Sequence, residues 1–207
     1  MNPAPTFDRT YPLIKQQVLW GNSRPGERID VGALSKDLDV SAIPVREVLQ
    51  RLVGERVLEL VPGGGFALPE LSEEALRNLY VWHGQLVRIA LRHQGTLTPR
   101  PPSAALLDAL ARDDHEGFAF ATEDVFAAIA NASMISEHAI VLTSVGERLR
   151  RFRRREARLI KDLLPELHLV RTLTEIGPED ELREAISAYH RRRLRRVAQL
   201  VTVSNAL

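Results

Sequence analysis

Along Val40–Val61, VSAIPVREVLQRLVGERVLELV, apolar side chains recur at Val45, Val48, Leu49, Leu52 and Val53. This i, i+3, i+4, i+7, i+8 spacing predicts an amphipathic helix with one face on a core. Arg46, Glu47, Gln50 and Arg51 fall off that face. Ser41 is a good N-cap residue, and Pro44 lies in the first turn, where a missing N–H costs least. Because Pro44 has no amide hydrogen to offer, the Ser41 side chain is expected on the amide of Ile43. Val57–Val61 has strand character, Pro62–Gly65 is a turn, and Phe66–Leu68 can return as the paired strand. Upstream, Leu13, Ile14, Val18 and Leu19 predict a helix over Tyr11–Gly21, with residues 1–10 as a loose arm. Turn chemistry at Arg24–Glu27 leads to an extended piece at Arg28–Asp30 and a short helix at Val31–Leu38. With Asp39 in the turn, the next helix completes a helix-turn-helix. Three helices and a hairpin predict a winged helix over residues 1–70.

From Leu71 the pattern becomes purely helical. Ser72-Glu73-Glu74 is a helix-start signature, and apolar positions continue from Leu76 to Leu91. A proline-rich connection, Gly95–Ser103, precedes a short helix at Ala104–Arg112. Further helices are expected near Glu116–Ala132, Ser136–Lys161, Pro165–Glu175 and Pro178–Val203. Residues 71–207 therefore read as an all-α bundle, and the chain as mainly α with one small β-hairpin.

Composition narrows the class. Apolar residues make up 44% of the chain, enough for a real core, and charged residues 27%, too many for a membrane protein. There is no cysteine, which removes disulfides and thiolate metal sites. The first residues lack the apolar segment of a secretory signal, and no stretch reaches the length of a membrane span. A cytoplasmic chain with no membrane partner is expected. Net charge is only +1, but Arg148–Lys161 and Arg191–Arg196 are basic clusters. Both lie far along the chain from the amphipathic helix at Val40–Leu52, and they are expected to be solvated faces, with a secondary nucleic-acid contact by the first as the alternative. Glu147 and Glu156 would partner the first of them. A helix that buries one face and carries Ser41 and Arg46 at its N-terminal end suits major-groove reading.

Residues 11–71 resemble the GntR family of bacterial transcription regulators. The resemblance rests on PGERI at Pro25–Ile29, VSAIPVREVLQRL at Val40–Leu52 and GGGF at Gly63–Phe66. The helical half is similar to the FCD effector-binding domain of the fatty-acid-responsive subfamily. The resemblance implies a dimeric, ligand-responsive transcriptional regulator, most often a repressor, on a palindromic operator. It places Ser41, Arg46 and Gln50 on operator DNA and Gly64 and Gly65 at the wing tip. Ala42 and Ile43 stand where the family commonly has Arg then Thr, so a guanine-pairing arginine is replaced and Ile43 can meet a thymine methyl. Arg56 stands where a glycine is usual. Gly54 is expected to stop the helix in its place, leaving Arg56 as a phosphate contact or a solvent-facing residue.

The FCD resemblance also implies a divalent metal (Zn, Ni, Mn or Fe) held by an acid and three histidines. TEDVFAAIA supplies Glu123 or Asp124 as the acid, His168 and His190 match two histidines, and Ala127 replaces the third. Three alternatives stay open. Metal is retained on three protein ligands, with room for a carboxylate effector; the histidines are buried polar residues around an organic effector; or they are unrelated core histidines. His83, Glu123, His168 and His190 form the effector-binding set, His83 standing near the family's usual arginine. Tyr80 and Trp82 are assigned to packing, and His93, His115 and His138 to the surface. Two rival functions are a small metal-dependent enzyme built on His168, His190 and Glu123, and a protein-interaction module without specific DNA binding. No general base is visible beside the proposed metal, which speaks against the enzyme.

Overall fold

The computed structural model describes residues 6–21, 23–95 and 115–205, and the helix expected at Ala104–Arg112 lies outside them. The chain divides into two compact units, one ending at Glu70 and the other beginning at Leu71.

The first unit holds α1 (Thr6–Trp20), α2 (Val31–Asp37) and α3 (Ala42–Gly54), followed by β1 (Glu59–Leu60) and β2 (Phe66–Ala67). The strands pair antiparallel, Glu59 opposite Ala67 and Leu60 opposite Phe66. The extended segment before α2 adds a third rung, since the Ile29 amide donates to the Phe66 carbonyl at 2.8 Å. Val45, Val48, Leu49 and Leu52 of α3 close a core with Ile14, Val18, Leu34, Val57 and Phe66. This is a winged helix-turn-helix.

Helix α1 begins earlier than expected, at Thr6 rather than Tyr11, with Pro12 inside it. The reason is tertiary. Phe7 stacks on Tyr11 with ring centroids 5.9 Å apart, and the Arg51 guanidinium of α3 lies over both rings. The Tyr11 hydroxyl and the Lys15 ammonium both donate to the Glu55 carboxylate, at 2.6 and 2.9 Å. These contacts hold the first turn of α1 against the end of α3 despite the proline.

The second unit is all helical. Its described helices are α4 (Glu73–Arg92), α5 (His115–Asn131), α6 (Ser136–Glu156), α7 (Leu163–Ile176), α8 (Glu179–Leu194) and α9 (Val197–Asn205). Ser72 caps α4 by accepting from the Ala75 amide. The single helix expected over Pro178–Val203 breaks at Arg195-Arg196, where α8 ends and α9 begins. The core joins Leu76, Tyr80 and Val87 of α4 to Phe126 of α5, Leu149 and Phe152 of α6, Leu167 of α7, Tyr189 of α8 and Leu200 of α9. Among the described residues, no helix is long and apolar enough to cross a membrane.

Candidate functional site

Two chemically distinct surfaces arise, one in each unit. In the first, α3 buries its apolar stripe and presents Ser41, Ala42, Ile43, Arg46, Glu47 and Gln50 to solvent. Ile43 is 70% exposed, an unusual cost for a β-branched apolar side chain in the first turn. The Ser41 hydroxyl makes no cap bond, contrary to the expected bond to Ile43. Pro44 occupies the third helical position and removes the amide that a serine cap most often bonds. Ser41 and Ile43 are both exposed at the start of the helix.

The end of α3 corrects a second expectation. Gly54 is the last helical residue and does not stop the helix; Arg56 does, in the left-handed region at φ 58°. The Arg56 amide donates to the Val53 carbonyl and the Val57 amide to the Leu52 carbonyl, both at 2.9 Å. This is a Schellman closure with arginine where glycine is usual. The α2–α3 turn repeats the device, with Asp39 at φ 52° and the Val40 amide on the Ser35 carbonyl. Both turns of the helix-turn-helix-wing therefore rest on non-glycine left-handed residues. The wing tip uses real glycines: Gly63, Gly64 and Gly65 have φ of 79°, 88° and 106°. The Arg28 guanidinium donates to the Pro62 carbonyl at 2.8 Å and braces the tip.

In the second unit a cavity of about 170 Å³ is lined by His83, Glu123, Phe126, Ala127, Leu142 and Arg153, among others. Of the expected effector set, His83 and Glu123 reach this wall. His190 lies directly behind His83, its Nε2 2.9 Å from His83 Nδ1. His168 is exposed on α7 and does not line the cavity. Its helix spends its inward positions on Leu163, Leu167, Val170 and Leu173, which turns residue 168 outward. Asp124 lines the cavity from an exposed position. Glu123 is engaged by Arg150, whose Nε donates to Oε1 at 2.7 Å while Nη2 bonds Oε2. Among the described residues, no group of three His, Asp or Glu side chains could hold a metal ion.

The proton positions in the histidine pair follow from its two ends. Arg153 Nη2 lies 3.0 Å from His83 Nε2, and arginine can only donate, so His83 Nε2 carries a lone pair. His190 Nδ1 lies 2.7 Å from the Ile186 carbonyl, which can only accept, so His190 Nδ1 carries a proton. The bond between the rings then runs from His83 Nδ1–H to His190 Nε2. Both imidazoles are neutral: burial pushes each well down, and the Arg153 and Arg193 guanidiniums push further, to about 3 for His190. Gly84 makes the approach possible, since a Cβ there would stand 3.1 Å from the His190 ring. Every ring nitrogen of the pair is spent, so neither offers a lone pair to a divalent ion. The metal donor set implied by resemblance does not fit these residues.

Behind the histidines lies a charge cluster that composition hid. Glu156 and Arg153, expected on a solvated face, are fully buried, as is Arg193. Glu156 accepts from the Tyr80 hydroxyl at 2.7 Å and from Arg193 Nε at 3.0 Å. Arg193 also bonds Glu166 and the Tyr189 carbonyl. Burial, with Glu156 nearby, raises Tyr189 to about 12 and Tyr80 well above the ordinary phenol range. The sequence signal was faint but present: Arg153 and Glu156 fall four and seven residues after Leu149, on its face of α6. Tyr80 packs inside as expected, whereas Trp82 is 44% exposed because it points away from that face of α4. His93 and His138 are not isolated, their ring centroids lying 5.5 Å apart, with His138 also on the Ser133 hydroxyl. The side chain of His115 lies outside the described residues.

Residues 6–68 match the model of the gntR family of bacterial regulatory proteins. The chain is 34% identical over 89 residues to the HTH-type transcriptional regulator McbR of Escherichia coli K12, covering 42% of this chain and 40% of that protein. It is 35% identical over 94 residues to the Nta operon transcriptional regulator of Aminobacter aminovorans, covering 45% of each. These matches span less than half the length of either relative. In fold, a GntR transcriptional regulator from Rhodococcus sp. RHA1 is similar over 93% of this chain and 97% of its own, with a TM-score of 0.79 at 18% identity. Residues 6–68 are thus similar to the gntR-family regulatory domain, and the fold of the chain is similar to that of solved GntR regulators.

Proposed function

We propose that this chain is a ligand-responsive transcriptional regulator that acts in the cytoplasm and binds a palindromic operator as a homodimer. The observation that carries the reading is α3, whose buried stripe fixes it on the core while Ser41, Ile43, Arg46 and Gln50 stand exposed on its outer side. That side enters a major groove, with Arg46 and Gln50 on base edges and Ile43 on a thymine methyl. The glycine tip at Gly64 and Gly65 lies along the adjacent minor groove, and Arg56 contacts phosphate. Phosphate contacts supply much of the affinity and make it salt-sensitive.

The helical unit is an FCD-type module in this reading. A small metabolite in its cavity changes operator affinity by binding two arrangements of the dimer unequally, as any effector must. Repression is the simplest output. A hydrolase or lyase built on His168, His190 and Glu123 has less support, because His168 stands apart from the other two.

Selection of random duplexes on the purified protein tests the reading. Enrichment of a palindrome, lost in Arg46→Ala, supports an operator-binding dimer. Absence of any enriched sequence rejects it in favour of an interaction module, the reading to which Ala42 in place of a base-pairing arginine would point.

A further inference from the structure

His93 closes α4 and His138 lies in the first turn of α6, and their ring centroids stand 5.5 Å apart at an interplanar angle of 59°. Neither residue lines the cavity. His93 is exposed and His138 half-buried, so solvent reaches the pair. The backbone holds the two segments together. The Met134 amide donates to the His93 carbonyl and the Gly95 amide to the Ala132 carbonyl, each at 2.9 Å. Between these bonds Gln94 and Ser133 form an isolated antiparallel bridge. A hydrogen-bonded frame therefore fixes where the two imidazoles start from, which lowers the ordering cost of bringing both onto one ligand.

Each ring has one nitrogen tied and one left over. His93 Nδ1 lies 3.0 Å from the Ile89 carbonyl, which can only accept, so Nδ1 carries the proton and Nε2 the lone pair. His138 Nδ1 lies 2.7 Å from the Ser133 hydroxyl. That oxygen accepts the Ile135 amide at 3.2 Å on one lone pair and has a second for the Nδ1–H of His138. In this tautomer both Nε2 atoms are unprotonated. A ligating histidine is ordinarily held this way, its other nitrogen donating to an oxygen that orients the ring. The spacing agrees. Two imidazoles on one tetrahedral ion, at metal–nitrogen distances of about 2.0–2.1 Å, have ring centroids about 5 Å apart. The buried pair His83 and His190 is the opposite case, with every ring nitrogen engaged.

We propose that His93 and His138 form a solvent-facing site for one divalent transition-metal ion, Zn, Ni or Cu, bound through both Nε2 atoms. Imidazole suits these ions, and copper should bind more tightly than nickel or zinc. No third His, Asp or Glu joins the pair among the described residues, so water completes the shell and the ion is exchangeable. Once bound, the ion ties the end of α4 to the start of α6. The site is separate from the donor set implied by the FCD resemblance, and it does not depend on the regulatory reading.

The test is calorimetric titration of the untagged full chain with nickel chloride, after treatment with EDTA and removal of the chelator. One ion should bind at this pair. His93→Gln and His138→Gln should each weaken that binding by at least about tenfold, and Ser133→Ala, which removes the oxygen that orients His138, by about tenfold. His168→Gln, at an exposed histidine elsewhere in the unit, should leave it unchanged. Nickel should also raise the unfolding temperature of the wild type and of His168→Gln, but not of the His93 or His138 variants, because the two ligands come together only in the folded chain. Both substituted side chains reach solvent, so the metal-free unfolding temperatures should stay close to the wild type's. No binding at millimolar nickel, binding that survives both substitutions, or binding abolished by His168→Gln overturns the site. Loss with one of the two variants and not the other also overturns it, since that is a lone histidine rather than a pair.

Discussion

His83 Nδ1 donates to His190 Nε2 across 2.9 Å, at the centre of a chain of bonds running from the Arg153 guanidinium to the Ile186 carbonyl. The chain has one consistent proton arrangement, and that arrangement keeps both rings neutral. Its consequence is a pH dependence of stability with a definite sign. His190 is held at about 3 in the folded protein by burial, against an ordinary 6.5, and His83 is depressed in the same direction. Above about pH 6.5 both folded and unfolded chains leave these rings neutral, and nothing is lost. Below it the unfolded chain takes up protons that the folded chain refuses, and stability falls by about 1.4 kcal/mol per pH unit for each histidine. Urea unfolding at pH 7 and pH 5 should show this loss, and His190→Gln should flatten it. Equal slopes in the two proteins would show that the pair is not what titrates.

The Glu156 carboxylate joins Tyr80 of α4 to Arg193 of α8 inside the bundle. Breaking a buried pair from one side leaves a charge without compensation, a cost of about 3–5 kcal/mol. Glu156→Gln should therefore destabilise the helical unit by that order in denaturant unfolding. Tyr80→Phe, which removes one hydrogen bond to a charged acceptor, should cost about 1.5–3 kcal/mol. A Glu156→Gln loss no larger than that of Tyr80→Phe would mean that Glu166 alone satisfies Arg193.

Arg56 closes α3 in a conformation that costs an ordinary residue roughly 1–2 kcal/mol. Arg56→Gly should raise the stability of the winged helix by about 1 kcal/mol, the lower end of that strain. If Arg56 also neutralises a phosphate, the same variant should reduce the slope of log affinity against log salt by about 1. Gain of stability without change in slope would leave Arg56 a structural residue only.

Arg46 and Ile43 are exposed, so their replacement by alanine should leave the unfolding temperature of the unit nearly unchanged. On operator DNA, Arg46→Ala should cost about 1–3 kcal/mol and relax preference at one position. Ile43→Ala should relax discrimination at a neighbouring thymine. Footprinting and binding to a set of single-base operator variants would measure both; uniform weakening across all variants would reassign Arg46 to phosphate.

The winged helix was legible because its signals are local. The stripe of Val45, Val48, Leu49 and Leu52 specifies which side of α3 faces inward, and by exclusion which residues face solvent. The glycine run at 63–65 marks the wing tip, where a positive φ is required. The α1 start escaped because Phe7 and Tyr11 are held by Arg51 and Glu55, more than forty residues away.

The helical unit divides differently. Periodicity alone showed that it is a bundle, and the resemblance singled out His190 along with His168. It could not tell that His168 turns outward while His83 turns in, because which face of a helix is buried depends on the helices packed against it. Nor could it distinguish the buried Arg153, Glu156 and Arg193 from their exposed neighbours of the same type. A charged side chain enters a core only when partners from other helices, here Tyr80, His83 and Glu166, are in place to satisfy it. The sequence by itself determined the elements and the face that α3 presents. The tertiary structure alone decided which charges are buried, which histidines meet, and that Arg153 joins the cavity wall, because each depends on helices far apart in the chain.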